Sequence, residues 1–158
     1  MTQRIAPFLW FDDKAEEAAN FYVSVFDNAK IVNVSRYTES SPGVAGSVMV
    51  VAFTLDGQDF FALNGGPQFT FTPAISLTID CATQAEVDRL WERLSEGGRP
   101  GQCGWLEDKY GVSWQVVPSI LRAMFDDENA KKADAVMQAM LKMTKLDIAT
   151  LQAAYDGA

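Results

Sequence analysis

Two adjacent carboxylates, Glu107 and Asp108, are the residues of this sequence best suited to proton transfer. The 158-residue chain contains no histidine, the side chain that most often serves as a general base or a transition-metal ligand. A buried carboxylate can act as the base instead. Asp108 opens a predicted turn over 108–111, where an aspartate ordinarily accepts backbone amides. Glu107 is therefore the candidate catalytic residue.

Gln115 is a candidate for orienting a ligand. It lies in the strand-like segment 112–117, where successive side chains point to opposite faces of a sheet. Ser113 and Gln115 therefore share one face, and Trp114 lies on the other. The Gln115 amide can bind a carbonyl or hydroxyl group of a ligand, or it can satisfy neighbouring backbone or water. We expect Gln115 and Ser113 to be ligand-binding residues.

Trp10, Trp105 and Asn64 are the further candidates for contact with a ligand. Most aromatic side chains near the predicted strands are expected to fill the core, as aromatic residues commonly do. Those that line a cavity favour a flat, apolar ligand, and we expect Trp10 and Trp105 to be among them. Asn64 precedes Gly65-Gly66-Pro67, which is typical of a turn, so its side chain either faces the pocket or belongs to that turn.

The two cysteines, Cys81 and Cys103, are expected to be reduced thiols, because they lack the spacing of a zinc or redox site. Cys81 lies just before Thr83, where helix-terminal amides could lower the thiol pKa and make it nucleophilic. No histidine is available to take its proton, so we expect Cys81 to be a packing residue.

Strand and helix signals occur twice in the same order, which predicts an internal duplication. In the first copy, an aromatic strand precedes Asp13, a candidate helix N-cap with Glu16 three places on. In the second, a strand precedes Thr83 and Glu86, which match a T-x-x-E capping box. Aligning Asp13 with Thr83 also aligns Glu16 with Glu86.

Three strands are predicted after each of the two helices. Asp56-Gly57 is typical of a two-residue hairpin turn, and Gly97-Gly98 is typical of a helix C-terminus. A βαβββ unit is therefore predicted for 1–66 and a second one for 71–118. The two units belong to one α+β domain, 1–158, and form open curved sheets.

Residues 119–158 have a helical pattern and are expected to form a C-terminal helical hairpin. An apolar stripe follows that pattern, through Val136, Met137, Met140, Leu141, Thr144, Ile148, Leu151 and Tyr155. Methionine is an adaptable packing residue, so we interpret the stripe as a surface packed in the core or against a partner subunit.

Charge and hydropathy exclude two classes of partner. The formal net charge is -8, so the field of the chain repels nucleic acid and anionic membranes. No window approaches the ~18 apolar residues of a membrane span, and the N-terminal residues show no leader pattern. We expect a cytoplasmic protein with no nucleic-acid or membrane partner.

Segments throughout the chain resemble one protein family. The segments are PFLWFDDKAEEAANFYVSVF, FTPAISLTIDC, EVDRLWERLSEGG, GWLEDKYGVSWQVVP and MQAMLKMTKLDIATLQAAY. They resemble the PhnB-like branch, labelled 3-demethylubiquinone-9 3-methyltransferase, of the vicinal oxygen chelate superfamily, whose members include glyoxalases, dioxygenases and bleomycin-resistance proteins. The resemblance implies paired βαβββ units. It also implies that the side of the strand that carries Gln115 faces a concave cavity.

The resemblance also locates the positions where metal-using members of this superfamily carry their ligands. Those positions here fall on Pro7, 73–76, 61–64 and Gln115, which provide no histidine or carboxylate. We therefore expect neither a metal nor a cofactor. The glycine-rich segments 64–67 and 97–104 do not follow a strand and open a helix, as a methyl-donor-binding loop would.

Two functions remain open on the sequence alone. The first is a binding protein, in which a homodimer holds a small apolar or aromatic molecule in a metal-free pocket. The alternative is a metal-independent enzyme for a small metabolite, including the 3-demethylubiquinone 3-methyltransferase activity of the family label, with Gln115 and Glu107 as polarising or proton-transfer groups.

Overall fold

The computed structural model describes residues 3–158, so Met1 and Thr2 of the first predicted unit lie outside the described residues. The chain divides into two compact units, one ending at Phe71 and the other spanning Thr72–Ala158. Each is described below by itself. The assignment of 1–158 to a single domain, with boundaries at 1–66, 71–118 and 119–158, stays a prediction.

The first unit is a four-stranded sheet with one helix on one face. Its elements are β1 Phe8–Phe11, α1 Ala15–Val25, β2 Ala29–Arg36, β3 Val48–Leu55 and β4 Gln58–Asn64. The strand order is β1-β4-β3-β2, with β1 parallel to β4 and the other pairs antiparallel. Alternate residues of β3, such as Val51 and Phe53, are buried on the side that α1 covers. The βαβββ prediction is confirmed for this unit.

The β3–β4 hairpin has the predicted two-residue turn. Asp56 and Gly57 both have positive φ, of 47° and 75°. Two positive φ values in succession give the backbone twist that suits tightly connected antiparallel strands, and Asp-Gly tolerates them.

The second unit repeats the arrangement. It contains β5 Ser76–Cys81, α2 Gln84–Ser95, β6 Arg99–Pro100, β7 Trp105–Glu107 and β8 Ser113–Pro118, in the sheet order β5-β8-β7-β6. Thr83 Oγ1 accepts the amide of Glu86 at 3.2 Å, and the Glu86 carboxylate accepts the amide of Ala82 at 2.8 Å. These two bonds confirm the predicted capping box of α2. The two sheets, each with a helix beside it, confirm the predicted α+β class.

Three helices follow β8: α3 Ile120–Phe125, α4 Ala130–Met140 and α5 Ile148–Asp156. The predicted hairpin corresponds to α4 and α5, and α3 is an additional short helix before it. The helices share a core formed by Leu121, Met124, Val136, Leu146 and Leu151. Part of the predicted apolar stripe is in this core, but Met137 and Leu141 are 38% and 59% exposed.

The link between α4 and α5 is bound to the start of α2. The Gln84 side-chain amide donates to the carbonyl of Leu146 at 3.1 Å, and its oxygen accepts the Ile148 amide at 2.7 Å. Lys145 pairs with Asp88 at 2.8 Å. One glutamine therefore satisfies a carbonyl of the link and an amide at the N-terminus of α5.

The same link binds the turn that precedes β7. The Cys103 amide donates to the Met143 carbonyl at 2.9 Å, and the Gly104 amide donates to the Thr144 carbonyl at 2.8 Å. A Cβ on Gly104, whose φ is +83°, would lie 2.8 Å from the carbonyl oxygen of Val116. Glycine is therefore required where the turn passes close to β8.

No helix among residues 3–158 is both long enough and apolar enough to cross a membrane.

Asp108 organises the connection between β7 and β8. The residue is only 2% exposed, and one carboxylate oxygen accepts the amides of Tyr110 and Val112 at 2.8 and 3.1 Å. The other oxygen accepts the indole N–H of Trp114 at 2.8 Å. A buried carboxylate is tolerated here because three donors replace its lost hydration.

Replacing Asp108 by alanine is expected to lower the free energy of unfolding by about 2–4 kcal/mol, because three donors lose their acceptor in a buried site. Asp108→Asn, which keeps one oxygen, should lose less. Urea unfolding measures both, with Glu39→Ala in an exposed loop as the control. Equal midpoints for Asp108→Ala and Glu39→Ala would contradict the role given to Asp108.

Candidate functional site

The face of the second sheet that is opposite α2 brings together four of the predicted site residues. Trp114 and Val116 of β8 are buried beneath α2, so Gln115 points to the other side. Strand pairing places Trp105 beside Gln115 and Glu107 beside Ser113. We call this surface the Gln115 face and define it by Ser76, Thr78, Trp105, Glu107, Ser113 and Gln115.

Gln115 is held by Ser76, which the family resemblance placed among the metal-ligand positions and which was not among the candidate ligand contacts. Its side-chain N–H donates to the hydroxyl of Ser76 on β5 at 2.9 Å. Thr78, which is also on β5, pairs with Gln115 of β8. In the sequence SLTIDC, Ser76 and Thr78 alternate with apolar residues. This alternation predicts that the two hydroxyl groups lie on one face of β5.

The side-chain oxygen of Gln115 remains available to a ligand. Among residues 3–158, no donor lies within hydrogen-bonding distance of this oxygen. No buried side-chain N or O atom of the described chain lacks a partner, so solvent reaches it. Ser113 is nearly buried, at 4% exposure, and it borders the exposed part of the face instead of projecting from it.

Glu107 lies at the margin of the Gln115 face in an ion pair. Its carboxylate oxygen accepts a hydrogen bond from the Arg99 guanidinium at 2.9 Å, and its side chain is 37% exposed. The arginine balances its charge, and solvent screens both groups. Its proposed catalytic role stays a prediction.

Asn64 holds the N-terminus of α1. Its side-chain oxygen accepts the amide of Ala15 at 2.8 Å, and its side-chain N–H donates to the Val48 carbonyl at 3.2 Å. The expectation that Asp13 caps α1 is wrong, because Lys14 is the N-cap residue and no cap bond is made by its side chain. An amide brought in by β4 replaces the local cap.

Asn64 also lines a cleft of about 370 Å³ in the first unit. The other residues around it are Asp12, Asp13, Glu16, Tyr37, Ser47 and Val48. The Tyr37 hydroxyl donates to the carbonyl of Asn64 at 2.5 Å, which fixes the end of β4.

Trp10 lies in the first unit, where the segment after β4 covers part of its ring. Its indole N–H donates to the Gly66 carbonyl at 2.9 Å, and its ring meets Phe69 edge-on with centroids 5.1 Å apart. A Cβ on Gly65 would overlap the indole ring. Gly65 therefore leaves room for Trp10, and Gly66 supplies the positive φ of 97° that follows it.

A second cleft, of about 670 Å³, lies on α2 and extends to Lys145. Hydrogen bonds from Lys145 and then Gln84 hold the pKa of Asp88 below its ordinary value. The sequence patterns predicted none of these residues as part of a site.

Cys81 is buried, and burial raises the pKa of its thiol to about 12, with further contributions from Glu86 and Asp80. The thiol therefore stays protonated at neutral pH, in agreement with the packing role expected for it. Cys103 is half-buried and has a positive φ of 58°.

The donor groups on the Gln115 face do not fit a transition metal. Gln115 and Ser76 are neutral oxygen and nitrogen ligands, and Glu107 is paired with Arg99. Within residues 3–158, no group of three or more histidine, cysteine, aspartate or glutamate side chains has the geometry to hold a metal ion. Such sites generally need imidazole, thiolate or several carboxylates.

Comparison with known proteins gives one family and several similar structures. The family model described as 3-demethylubiquinone-9 3-methyltransferase matches residues 3–117, so α3, α4 and α5 lie beyond the match. A Bacillus cereus structure described as a putative 3-demethylubiquinone-9 3-methyltransferase, PhnB protein, is 44% identical with a TM-score of 0.68. The match covers 73% of this chain and 99% of that chain.

Two more distant structures have the same fold. The protein PA1353 from Pseudomonas aeruginosa is 21% identical, with a TM-score of 0.62 over 74% of this chain and 98% of that one. The fosfomycin resistance protein FosX from Listeria monocytogenes, complexed with Mn(II) and sulfate, is 16% identical, with a TM-score of 0.53 over 73% and 91%. No curated protein matches the chain.

Asn64→Ala is expected to lower the free energy of unfolding by about 1–2 kcal/mol, because α1 loses the side-chain oxygen that accepts its first amide. Asp13→Ala should change it by less than about 0.5 kcal/mol. Asn64→Asp keeps the accepting oxygen and should retain most of the stability. Urea unfolding of the three variants compares them. A larger loss for Asp13→Ala than for Asn64→Ala would show that the cap is local after all.

A thiol reagent such as DTNB should label Cys103 in the folded protein and leave Cys81 unlabelled, because Cys81 is buried and its pKa is raised. In urea both should react. Labelling of Cys81 should also stay absent as the pH rises from neutral to mildly alkaline. Cys103→Ser serves as the control, and rapid labelling of that folded variant would contradict the prediction.

Proposed function

The chain belongs to the family described as 3-demethylubiquinone-9 3-methyltransferase, within the vicinal oxygen chelate superfamily, and on that premise we propose that it binds a small apolar or aromatic molecule without a metal. The Gln115 face is the proposed site. Gln115, Trp105 and Ser113 are its proposed ligand-binding residues, with Ser113 at its border. Trp10 and Asn64 are proposed separately, as ligand contacts of the first unit by itself.

The observation that carries the proposal is the pairing of Trp105 with Gln115. An aromatic ring and an amide side by side provide apolar contact and one oriented polar group, which is the usual make-up of a small-molecule site. The face is open to solvent at both side chains. Gln115 is positioned by Ser76 and does not need to reorganise for a ligand.

We propose a site without a metal because of the donor groups that the Gln115 face provides. A hydroxyl and an amide bind first-row transition metals weakly. The Mn(II) bound in the FosX structure belongs to that protein, whose 16% identity supports a shared fold only.

Enzymatic activity is the alternative, and one observation favours it. Glu107 lies beside Ser113 on the proposed face, where a carboxylate can exchange a proton with a bound molecule. The methyl transfer in the family description has less support. Gly65 and Gly66 lead into a non-helical segment, and the glycines of 97–104 follow a helix, so neither forms a strand-to-helix phosphate or methyl-donor loop.

We also propose that the protein is a cytoplasmic homodimer. The outer strands β5 and β6 of the second sheet each have one hydrogen-bonded neighbour, and pairing of subunits is one way to cover such edges. The charge of -8 supports a small-molecule partner over a nucleic acid or an anionic membrane.

Native mass spectrometry of the purified protein, with indole as the probe, tests the proposal. We expect a homodimer that binds indole and whose affinity for indole is unchanged by EDTA. Trp105→Ala should weaken indole binding about 5- to 10-fold through loss of an aromatic contact, whereas Trp91→Ala on α2 should not. A stoichiometric zinc, iron or manganese ion would overturn the metal-free site, and a monomer would overturn the dimer.

A further inference from the structure

We propose that the Gln115 face selects neutral aromatic molecules that carry a hydroxyl group, with the hydroxyl donating to the side-chain oxygen of Gln115 and the ring lying on Trp105. This inference rests on the proposed function and names the chemical class of the ligand. Three observations on residues 3–158 support it: an acceptor without a hydrogen-bond donor, an aromatic ring without an aromatic or cationic neighbour, and the uncharged lone pairs that the acceptor presents.

The acceptor is the side-chain oxygen of Gln115. In the structure the Gln115 N–H donates to the Ser76 hydroxyl at 2.9 Å, and in this orientation the side-chain oxygen points away from that bond. No donor of residues 3–158 reaches this oxygen, and it is not sealed from solvent. A carbonyl oxygen in this position binds an N–H or O–H group, and an ether or a hydrocarbon leaves it without a partner.

The ring is that of Trp105, on the strand beside Gln115. Its side chain is half-buried, and within the described chain its ring has no aromatic or cationic neighbour. Trp10 differs in this respect because it packs against Phe69, and the Trp114 indole is buried and donates to Asp108. An aromatic ligand offset-stacked on Trp105 brings a ring substituent to the neighbouring amide.

The Gln115 oxygen favours the neutral form of the hydroxyl. It presents the lone pairs of an uncharged amide, and the charge of the neighbouring Glu107 is balanced by Arg99 at 2.9 Å. A phenolate offers no proton to Gln115 and would set its negative oxygen against those lone pairs, so a phenol binds in its protonated form. The specificity therefore depends on one proton of the ligand.

The test compares 2-naphthol with 2-methoxynaphthalene, which differ in the hydroxyl proton, by isothermal titration of the full chain. We expect 2-naphthol to bind at least about tenfold more tightly, because the ether leaves the Gln115 oxygen unpaired. The affinity for 2-naphthol should fall as the pH rises through the pKa of its hydroxyl group, which is about 10 for a phenol. The ether should show no such pH dependence.

Three variants assign the selectivity to Gln115. Gln115→Leu should bind both probes with equal affinity, close to that of the ether in the original protein. Gln115→Glu keeps an acceptor and should keep the preference for 2-naphthol, which separates loss of the acceptor from loss of folding. Gln58→Leu replaces an exposed glutamine of β4 and should leave both affinities unchanged.

The outcomes separate this inference from the function on which it rests. Tight binding of both probes with no preference would overturn the hydroxyl selectivity and leave small-molecule binding supported. A preference that persists in Gln115→Leu would overturn the assignment to Gln115. Failure of both probes to bind at about millimolar concentration, the weak limit of specific binding, would overturn the proposed function itself.

Discussion

The buried carboxylate of Asp108 is the constraint on which the second sheet depends. β7 has only three residues, so its pairing with β8 is secured largely by the connection between them. Asp108 fixes that connection by accepting two backbone amides and the indole N–H of Trp114. The resulting register places Trp105 beside Gln115 and Glu107 beside Ser113. A single satisfied acceptor therefore sets the geometry of the proposed site.

The opposite end of β7 is held by residues beyond the family match. The link between α4 and α5 accepts hydrogen bonds from Cys103 and Gly104, which lead directly into Trp105. Both residues have positive φ, a conformation that needs support from the surrounding structure. The C-terminal helices thus contribute to positioning Trp105, although the family match ends at residue 117 of this chain.

The two repeats have the same strand order but use different means to begin their helices. Thr83 and Glu86 cap α2 from within the local sequence, so the capping box was readable from the chain. Asn64 caps α1 from the end of β4, and Asp13 does not. The alignment of Asp13 with Thr83 correctly indicated the duplication and gave the wrong cap, because similarity of position does not determine which side chain reaches an amide.

The sequence by itself determined the strands and helices of both units and the C-terminal hairpin in their order, although not the short helix α3, because periodicity, turn residues such as Asp56-Gly57 and local caps act over a few residues. It also placed Ser113 and Gln115 on one face of a strand. Only the tertiary structure decided which partners these side chains meet: Ser76 for Gln115, Arg99 for Glu107 and Ala15 for Asn64. These contacts depend on strand pairing and helix docking between distant segments, and strand alternation specifies a face without specifying its neighbours.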